Sequence, residues 1–537
     1  MAHLPVVISQ TRFTVGAIED NARRIIALAN EYVHQAPATQ LVVFPEQALL
    51  GAPAFDLLLR SSLASRVQTA LEQLTEQLAV PVLVGLPTLD KGIRFNSLAL
   101  IVPQQGVQHI YHQQHFADQA EDDGQARAVY FSAAAKPVVI ELQGVLVGLL
   151  LGDDYTCASL LEHYQQQGVQ WLLHCANNVF TAGEERRMYL ALQHIAQRHN
   201  LGVLHCSTVG GQDALVFQGG AFAINASGAL MAAAPLLKQA ALPVDLHSAA
   251  VSQLTWPQEE EVLYQVLVRA VRDYVHSNGF AGALLGLSGG IDSSLTLAVA
   301  ADALGPEKVR AIMMPFDYTS AMSKEDAALQ AATLGVAYEE IPIRPPFDSF
   351  TKLLAANFSN AETDTTEENL QARCRGVILM ALSNKHGQVV LACSNKSETA
   401  VGYSTLYGDM VGGFCPLRDV PKTWVYRLAK WRNGQQSTPV IPWRVIERPP
   451  TAELAPGQLD QNSLPDYAVL DEVVHRYVEL HQDVDAIVAS GLPEEAVRKV
   501  VRLIDRNEYK RQQGALGPKV TGRGFGANRR YPVTYRW

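Results

Sequence analysis

The chain reads as an α/β protein of two domains, and three observations predict this. Its 537 residues exceed what one hydrophobic core usually supports. Short Val/Leu/Ile runs alternate with helical patterns, as expected of strands buried on both faces and layered with helices. The rhythm fades over the mixed stretch KQAALPVDLHSAAVSQLTWPQ and then resumes with a different βαβ signature. We therefore place one domain at 1–240, a linker at 241–257 and a second domain at 258–537.

In the first domain the strand candidates are PVVISQ, LVVFPE, VPVLVGLP, SLALIVP, VLVGLLLG, VQWLLHC, LGVLHCS and GAFAINA. Helices such as IEDNARRIIALANEYVHQA separate most of them. The second domain opens with the amphipathic helix EEEVLYQVLVRAVRDYVHS, followed by strand GALLGL, a glycine turn and helix DSSLTLAVAADALG. VRAIMMP, KEDAALQAATLG, YEEIPI, a long helix and the strand VVLACS continue as a parallel, doubly wound sheet. The long helix DTTEENLQARCRGVILMALSNKHG carries a capping box read as Thr365 with Glu368, and a glycine stop at Gly387.

Composition excludes several classes. With 48% hydrophobic and 18% charged residues the chain is globular, and a formal charge of -10 argues against a broad nucleic-acid face. No apolar run reaches the ~18 residues of a membrane helix, and the start lacks a secretion signal. The six cysteines form no C-x-x-C pair or zinc spacing, so they read as reduced thiols of a cytoplasmic protein.

The chemistry of the second domain centres on LLGLSGGIDSSLTLA. Ser288, Gly289 and Gly290 lie between a buried strand and a helix whose first turn holds Asp292, Ser293 and Ser294. Glycines allow the sharp turn, the helix N-terminus offers N–H groups to an anion, and a carboxylate there suits Mg²⁺. No Lys-Ser/Thr follows the glycines, so this is not a Walker loop. Asn369 and Arg373 are four residues apart, on one helical face; a joint grip on phosphate or ribose and a solvated polar stripe both fit.

SGGIDSS resembles the pyrophosphate loop of ATP pyrophosphatases. Taken with TEENLQAR, NKSETAVGYSTLYGDM, PLRDVPKT, PPTAELAPGQ and NEYKRQQ, in that order, the second domain is similar to NAD synthetase. The resemblance implies an adenine nucleotide alpha hydrolase-like fold and a ligase that uses ATP and Mg²⁺. The nicotinate carboxylate of nicotinic acid adenine dinucleotide would be adenylated and then amidated. By matching position, Asp292 and Glu398 are implied as metal ligands, and Ser288, Gly289, Gly290, Asp292, Ser293, Ser294 and Met314 as ATP contacts. Lys422 and Asp292 are implied as catalytic. Asn369, Arg373, Ser394, Glu398, Lys422 and Lys510 are implied at the substrates, and Glu453 in a segment ordering over the site. Phe316 departs from the family, which usually has Ser there.

The first domain resembles the nitrilase-like glutaminase fused to bacterial NAD synthetases, an α-β-β-α sandwich with a Glu-Lys-Cys triad that frees ammonia from glutamine. VVFPEQALLGAPAFDLLLR places Glu46 at the base position, and YHQQHFADQ places Gln113 where Lys is expected. GLLLGDDYT places Gly152 at the nucleophile. Glycine cannot form a thioester, and without the lysine the developing oxyanion loses its counter-charge. In GGQDALVFQGGAF, Ala214, Gln218 and Ala221 replace groups expected to line the glutamine pocket. Cys157 is the one thiol weighed as a displaced nucleophile, against a bland reading as a small buried residue; Cys175 and Cys206 read as core. The expectation is an ammonia-using synthetase with a degenerate glutaminase, forming homo-oligomers. The alternatives are glutamine dependence through a displaced nucleophile or a partner in trans, and a non-catalytic paralogue.

Overall fold

A computed structural model describes residues 3–535 apart from 117–123, 254, 359–361, 452, 456–459 and 530. Parts of the expected motifs at 111–119 and 449–464 therefore lie outside the described residues. The chain divides into two compact units, Met1–Gln212 with Val216–Pro257, and Asp213–Leu215 with Gln258–Trp537.

The first unit holds two six-stranded sheets. One runs in the order Ala240–Asp245, Pro5–Gln10, Leu41–Val43, Val82–Asp90, Ile93–Val102, Gly106–His112. The other runs Leu230–Ala233, Phe222–Ile224, Gly202–Ser207, Trp171–Ala176, Val145–Leu151, Val139–Leu142. Val145, Val147, Leu149 and Leu151 point into a core shared with Leu4, Val6 and Ile8 of the facing sheet. Leu150, one residue out of phase, enters a second core with the helices Ala158–Gln166 and Arg187–His199. Helices Ile18–Gln35 and Leu63–Gln77 cover the other sheet's outer face. This period-two partition onto two apolar layers explains the near-continuous Val/Leu runs and yields the α-β-β-α sandwich of a nitrilase-like domain.

One stretch departs from expectation. Residues 241–257 were assigned to linker, yet Ala240–Asp245 is an edge strand, antiparallel to Pro5–Gln10 from Ala240↔Gln10 to Asp245↔Pro5. Its burial alternates, Leu242 and Val244 in and Ala241 and Pro243 out, but only two apolar side chains point inward and a proline sits mid-strand, which an edge tolerates, so the sequence signal fades there.

The second unit has a four-stranded parallel sheet in the order Ala337–Glu340, Val309–Met313, Ala283–Gly286, Val389–Val390. The order reverses beside Ala283–Gly286, creating the switch point at which ligands bind outside the strand C-termini. The helix Thr365–His386 begins one residue earlier than the expected box. Asp364 is the N-cap, its carboxylate accepting from Thr366 N at 2.7 Å, and Glu367 accepts from Asp364 N at 2.9 Å. The aspartate wins because a carboxylate is the better acceptor at a positive helix end. Gly387 ends the helix in the left-handed region at φ 66°.

Candidate functional site: one cleft in each unit

In the second unit a cleft of about 280 Å³ opens at the switch point. Strand Ala283–Gly286 delivers the chain into Leu287–Gly290, and helix Ile291–Leu304 carries it away. Gly289 has φ 79°, and a Cβ on it would run into the Ser323 carbonyl, so the loop can turn only with glycine there. Ser293 Oγ donates to Gly290 O at 3.0 Å and accepts from Ser288 N at 3.3 Å, fixing the loop from inside. Ser288, Gly290, Asp292, Ser293 and Met314 line the cleft. Ser294 is buried and lies outside the cleft lining.

Two carboxylates from opposite sides of the switch point meet here. Asp292 follows the Ala283–Gly286 strand, and Glu398 lies in helix Lys396–Val401, after Val389–Val390. The Lys422 ammonium lies between them, 2.5 Å from Asp292 Oδ2 and 3.0 Å from Glu398 Oε1. Asn395 Nδ2 holds Asp292 Oδ1 at 2.8 Å, while Asn395 Oδ1 caps Glu398 N at 2.9 Å. Burial, with Asp292 close by, pushes the Glu398 carboxyl up to about 7 against the pull of Lys422. The two carboxylates raise the Lys422 ammonium well above its usual range, overcoming burial, so it stays charged.

These donors fit Mg²⁺: hard oxygens already converge on one cation, the ammonium. Mg²⁺ characteristically takes one or two carboxylates and completes its shell with water and phosphate oxygens. Among the described residues no three His, Cys, Asp or Glu side chains form a closed metal cage, so an ion held by Asp292 and Glu398 would share its remaining positions with substrate.

Other expected contacts lie elsewhere. Lys510 donates to Gly402 O at 2.8 Å and Ser404 O at 2.7 Å, outside the cleft lining. Asn369 accepts from Thr405 Oγ1 at 2.9 Å, and the exposed Arg373 donates to Leu406 O at 3.2 Å. All three side chains therefore grip the loop 402–406. Ser394 lines a separate small cavity with Lys510. Glu453 reaches across to accept from Ser320 Oγ and Ser323 Oγ, both at 2.9 Å, at the start of helix Ala321–Leu334. Phe316 packs on Phe347, ring centroids 4.9 Å apart, on the core side. Sequence reasoning missed Arg375, Tyr403, Asp409 and Arg448 in the cleft lining. Tyr403 and Asp409 lie within NKSETAVGYSTLYGDM, and Arg375 and Arg448 border TEENLQAR and PPTAELAPGQ, so the signal was there but no residue-level reason singled them out.

In the first unit the three expected triad positions do converge. Glu46 and Gln113 are buried, bridged by Asn96, whose Nδ2 donates to Glu46 Oε1 at 2.8 Å and to Gln113 Oε1 at 2.7 Å. Gln113 Nε2 donates to His115 O at 2.7 Å. A Cβ on Gly152 would stand 2.6 Å from that same Nε2, and Gly152 has φ 58°. The amide of Gln113 thus occupies the space a side chain at 152 would enter. Arg127, which nothing in the sequence singled out, places Nη1 3.5 Å from Glu46 and Nη2 3.5 Å from Asp153, supplying positive charge beside Glu46.

The turn itself is firmly held. Gly152 O can only accept, so His174 Nε2 donates to it, at 2.8 Å. That tautomer leaves His174 Nδ1 to accept from His205 Nδ1 at 3.1 Å, and His205 Nε2 to accept from Asn178 Nδ2 at 2.9 Å. Burial lowers His174 to about 4 and pushes His205 well below its usual range. Asp154 accepts from Leu151 N, Gln114 N, His115 N and Tyr111 OH. A cavity of about 320 Å³ beyond the turn is lined by Gly152, Asp153, Tyr155 and Arg127. Cys157 is outside that lining, its Sγ 3.4 Å from Ser159 Oγ at a helix start. Cys175 and Cys206 are buried between the sheets.

Fold and site together define an amidase-type sandwich joined to a ligase domain of the nucleotide-splitting kind. The chain matches the carbon-nitrogen hydrolase family over residues 6–254 and NAD synthase over 263–514. It is 42% identical to the glutamine-dependent NAD(+) synthetase of Acinetobacter baylyi, covering 100% of this chain and 99% of that one. It is also 39% identical to the protein of that name from Xanthomonas campestris, over 99% and 97%. The solved glutamine-dependent NAD+ synthetase of Acinetobacter baumannii, in complex with ADP, superposes with a TM-score of 0.80 at 40% identity, over 99% and 98% of the chains. The chain belongs to the NAD synthetase family in its two-domain form.

Two outcomes follow for the turn at 152. Because His174 sits at about 4 when folded and 6.5 when free, the unfolded chain binds more protons between those values. Stability is then lost as pH falls from 6.5 toward 4, by up to roughly 3 kcal/mol; urea midpoints at the two ends will show it, and His174→Gln will flatten the slope. Gly152→Cys alone should cost about 1–3 kcal/mol, from left-handed backbone and collision with Gln113, and should form no thioester with glutamine by intact mass. A thioester in that single variant would show the pocket to be armed but for its sulfur.

Proposed function

We propose that this NAD synthetase draws on free ammonia, the observation carrying the reading being Gly152 with the Gln113 amide in its side-chain space. The ligase half proceeds in two steps. A nicotinate carboxylate oxygen attacks the α-phosphorus of ATP, the bond to the β-phosphate oxygen breaks, and pyrophosphate leaves. Ammonia then attacks the acyl carbon of the adenylate and AMP departs, giving the carboxamide of NAD.

Adenylation brings anions together, so the residues that matter supply fixed positive charge and donors. Ser288, the Gly289–Gly290 backbone and Ser293 hold pyrophosphate at the helix N-terminus, and Lys422, permanently charged, neutralises phosphate oxygens. Asp292 and Glu398 would hold Mg²⁺, which when bound offsets phosphate charge and polarises the phosphorus. Asn369, Arg373 and Lys510 act on substrate through the loop 402–406, which they fix. Six cysteines without a disulfide accord with action in the cytoplasm, and homo-oligomerisation belongs to the same reading.

The relatives' names favour a second reading, glutamine dependence. With Cys157 outside the cavity lining, we assign it to a separate glutaminase acting in trans rather than to an internal thiol. The discriminating assay is NAD formation from nicotinic acid adenine dinucleotide, ATP and Mg²⁺ with glutamine or an ammonium salt. Ammonium should support turnover and glutamine should not; equal rates with glutamine for the purified chain would refute the ammonia reading. Asp292→Ala should lower the ammonium-supported rate by at least about 100-fold, and an unchanged rate would remove the metal and phosphate assignment.

A further inference from the structure

Arg375 stands out in the cleft because its charge is not balanced. It extends from helix Thr365–His386 into the cleft lining, where its Nε donates to Met314 O at 3.1 Å. Among the described residues its guanidinium makes no ion pair; Asp409 and Glu453 act on it only through space. Burial draws it down to about 10, the direction expected of a cation short of partners. A half-buried guanidinium that no carboxylate pairs directly is costly unless a ligand supplies acceptors.

Its position within the cleft says which part of the ligand. Ser288, Ser293, Asp292, Glu398 and Lys422 make one end polar, suited to phosphates and metal. The cleft also has apolar walls, Gly286, Leu287, Ile312, Met314 and Leu379, which Arg375 meets at Met314 O, with Asp409 and Glu453 near it but not paired to it. The Met314 side chain closes on Gly286, whose added Cβ would stand 3.1 Å from Met314 Cε. A flat, weakly hydrated guanidinium held by its Nε, beside apolar walls, suits the plane of a base and its ring-nitrogen acceptors better than a phosphate. We propose that Arg375 is the side chain that reads the adenine of ATP, donating from its Nη edge to a ring nitrogen while Nε holds the end of strand Val309–Met313. The inference rests on the nucleotide reading of the cleft given above.

The test uses the full-length protein and calorimetric titration with ATP and with adenosine, comparing wild type, Arg375→Met and Arg375→Gln. Loss of a charge-assisted hydrogen bond should weaken ATP and adenosine alike, about 10-fold or more, in Arg375→Met. Arg375→Gln, which keeps a donor, should recover part of that loss and carries the same comparison if the Met variant melts early. Unchanged affinities in both variants would overturn the proposal. So would a loss confined to ATP with adenosine unaffected, since that places Arg375 on the phosphates. A wild type that binds no ATP would instead remove the nucleotide reading itself.

Discussion

The second unit is organised around one ammonium between two carboxylates. Lys422 draws Asp292 and Glu398 together from either side of the point where strand order reverses. Each partner is itself held: Asn395 fixes both acids, and Ser397 Oγ accepts from Lys422 N at 2.8 Å. Such a triad is costly to bury, so it is a poor candidate for mere stability. Its geometry makes sense as a preorganised centre where a cation and polyanions exchange places with little rearrangement.

The first unit shows the converse, a turn held firmly by structure alone. The backbone turn at Gly152 remains pinned through His174 and His205 on one side and Asp154 on the other, although no nucleophile rides on it. Glu46 persists because its acceptors are consumed by Asn96 and the Asn177 backbone N–H. With Gln113 neutral, Arg127 provides positive charge near that buried acid. Buried polar groups must be satisfied whatever the pocket does, and these contacts do so.

Legibility followed the range of the forces involved. The glycine turn at 288–290 could be read because its requirements are local: glycine at positive φ, a strand before, a helix after. Strand runs in the sandwich were equally plain, since burial on both faces leaves a continuous apolar trace. The edge strand Ala240–Asp245 escaped because Pro243 interrupts it and only Leu242 and Val244 face the core. The capping box slipped by one residue because DTTEE offers two adjacent acceptors, of which the Asp364 carboxylate is the stronger.

By itself the sequence determined which groups exist: a serine and glycine loop with Asp292, a lysine at 422, and no thiol at 152. Covalent capability is a property of residue identity and needs no coordinates. The tertiary structure decided which groups meet. It placed Lys422 on Asp292, 130 residues away, turned Asn369, Arg373 and Lys510 onto one loop, and filled the space beside Gly152 with the Gln113 amide. It also brought Arg127 to Glu46 and Arg375 to Met314. Contacts across such separations are set by the packing of whole layers, and no local pattern encodes them.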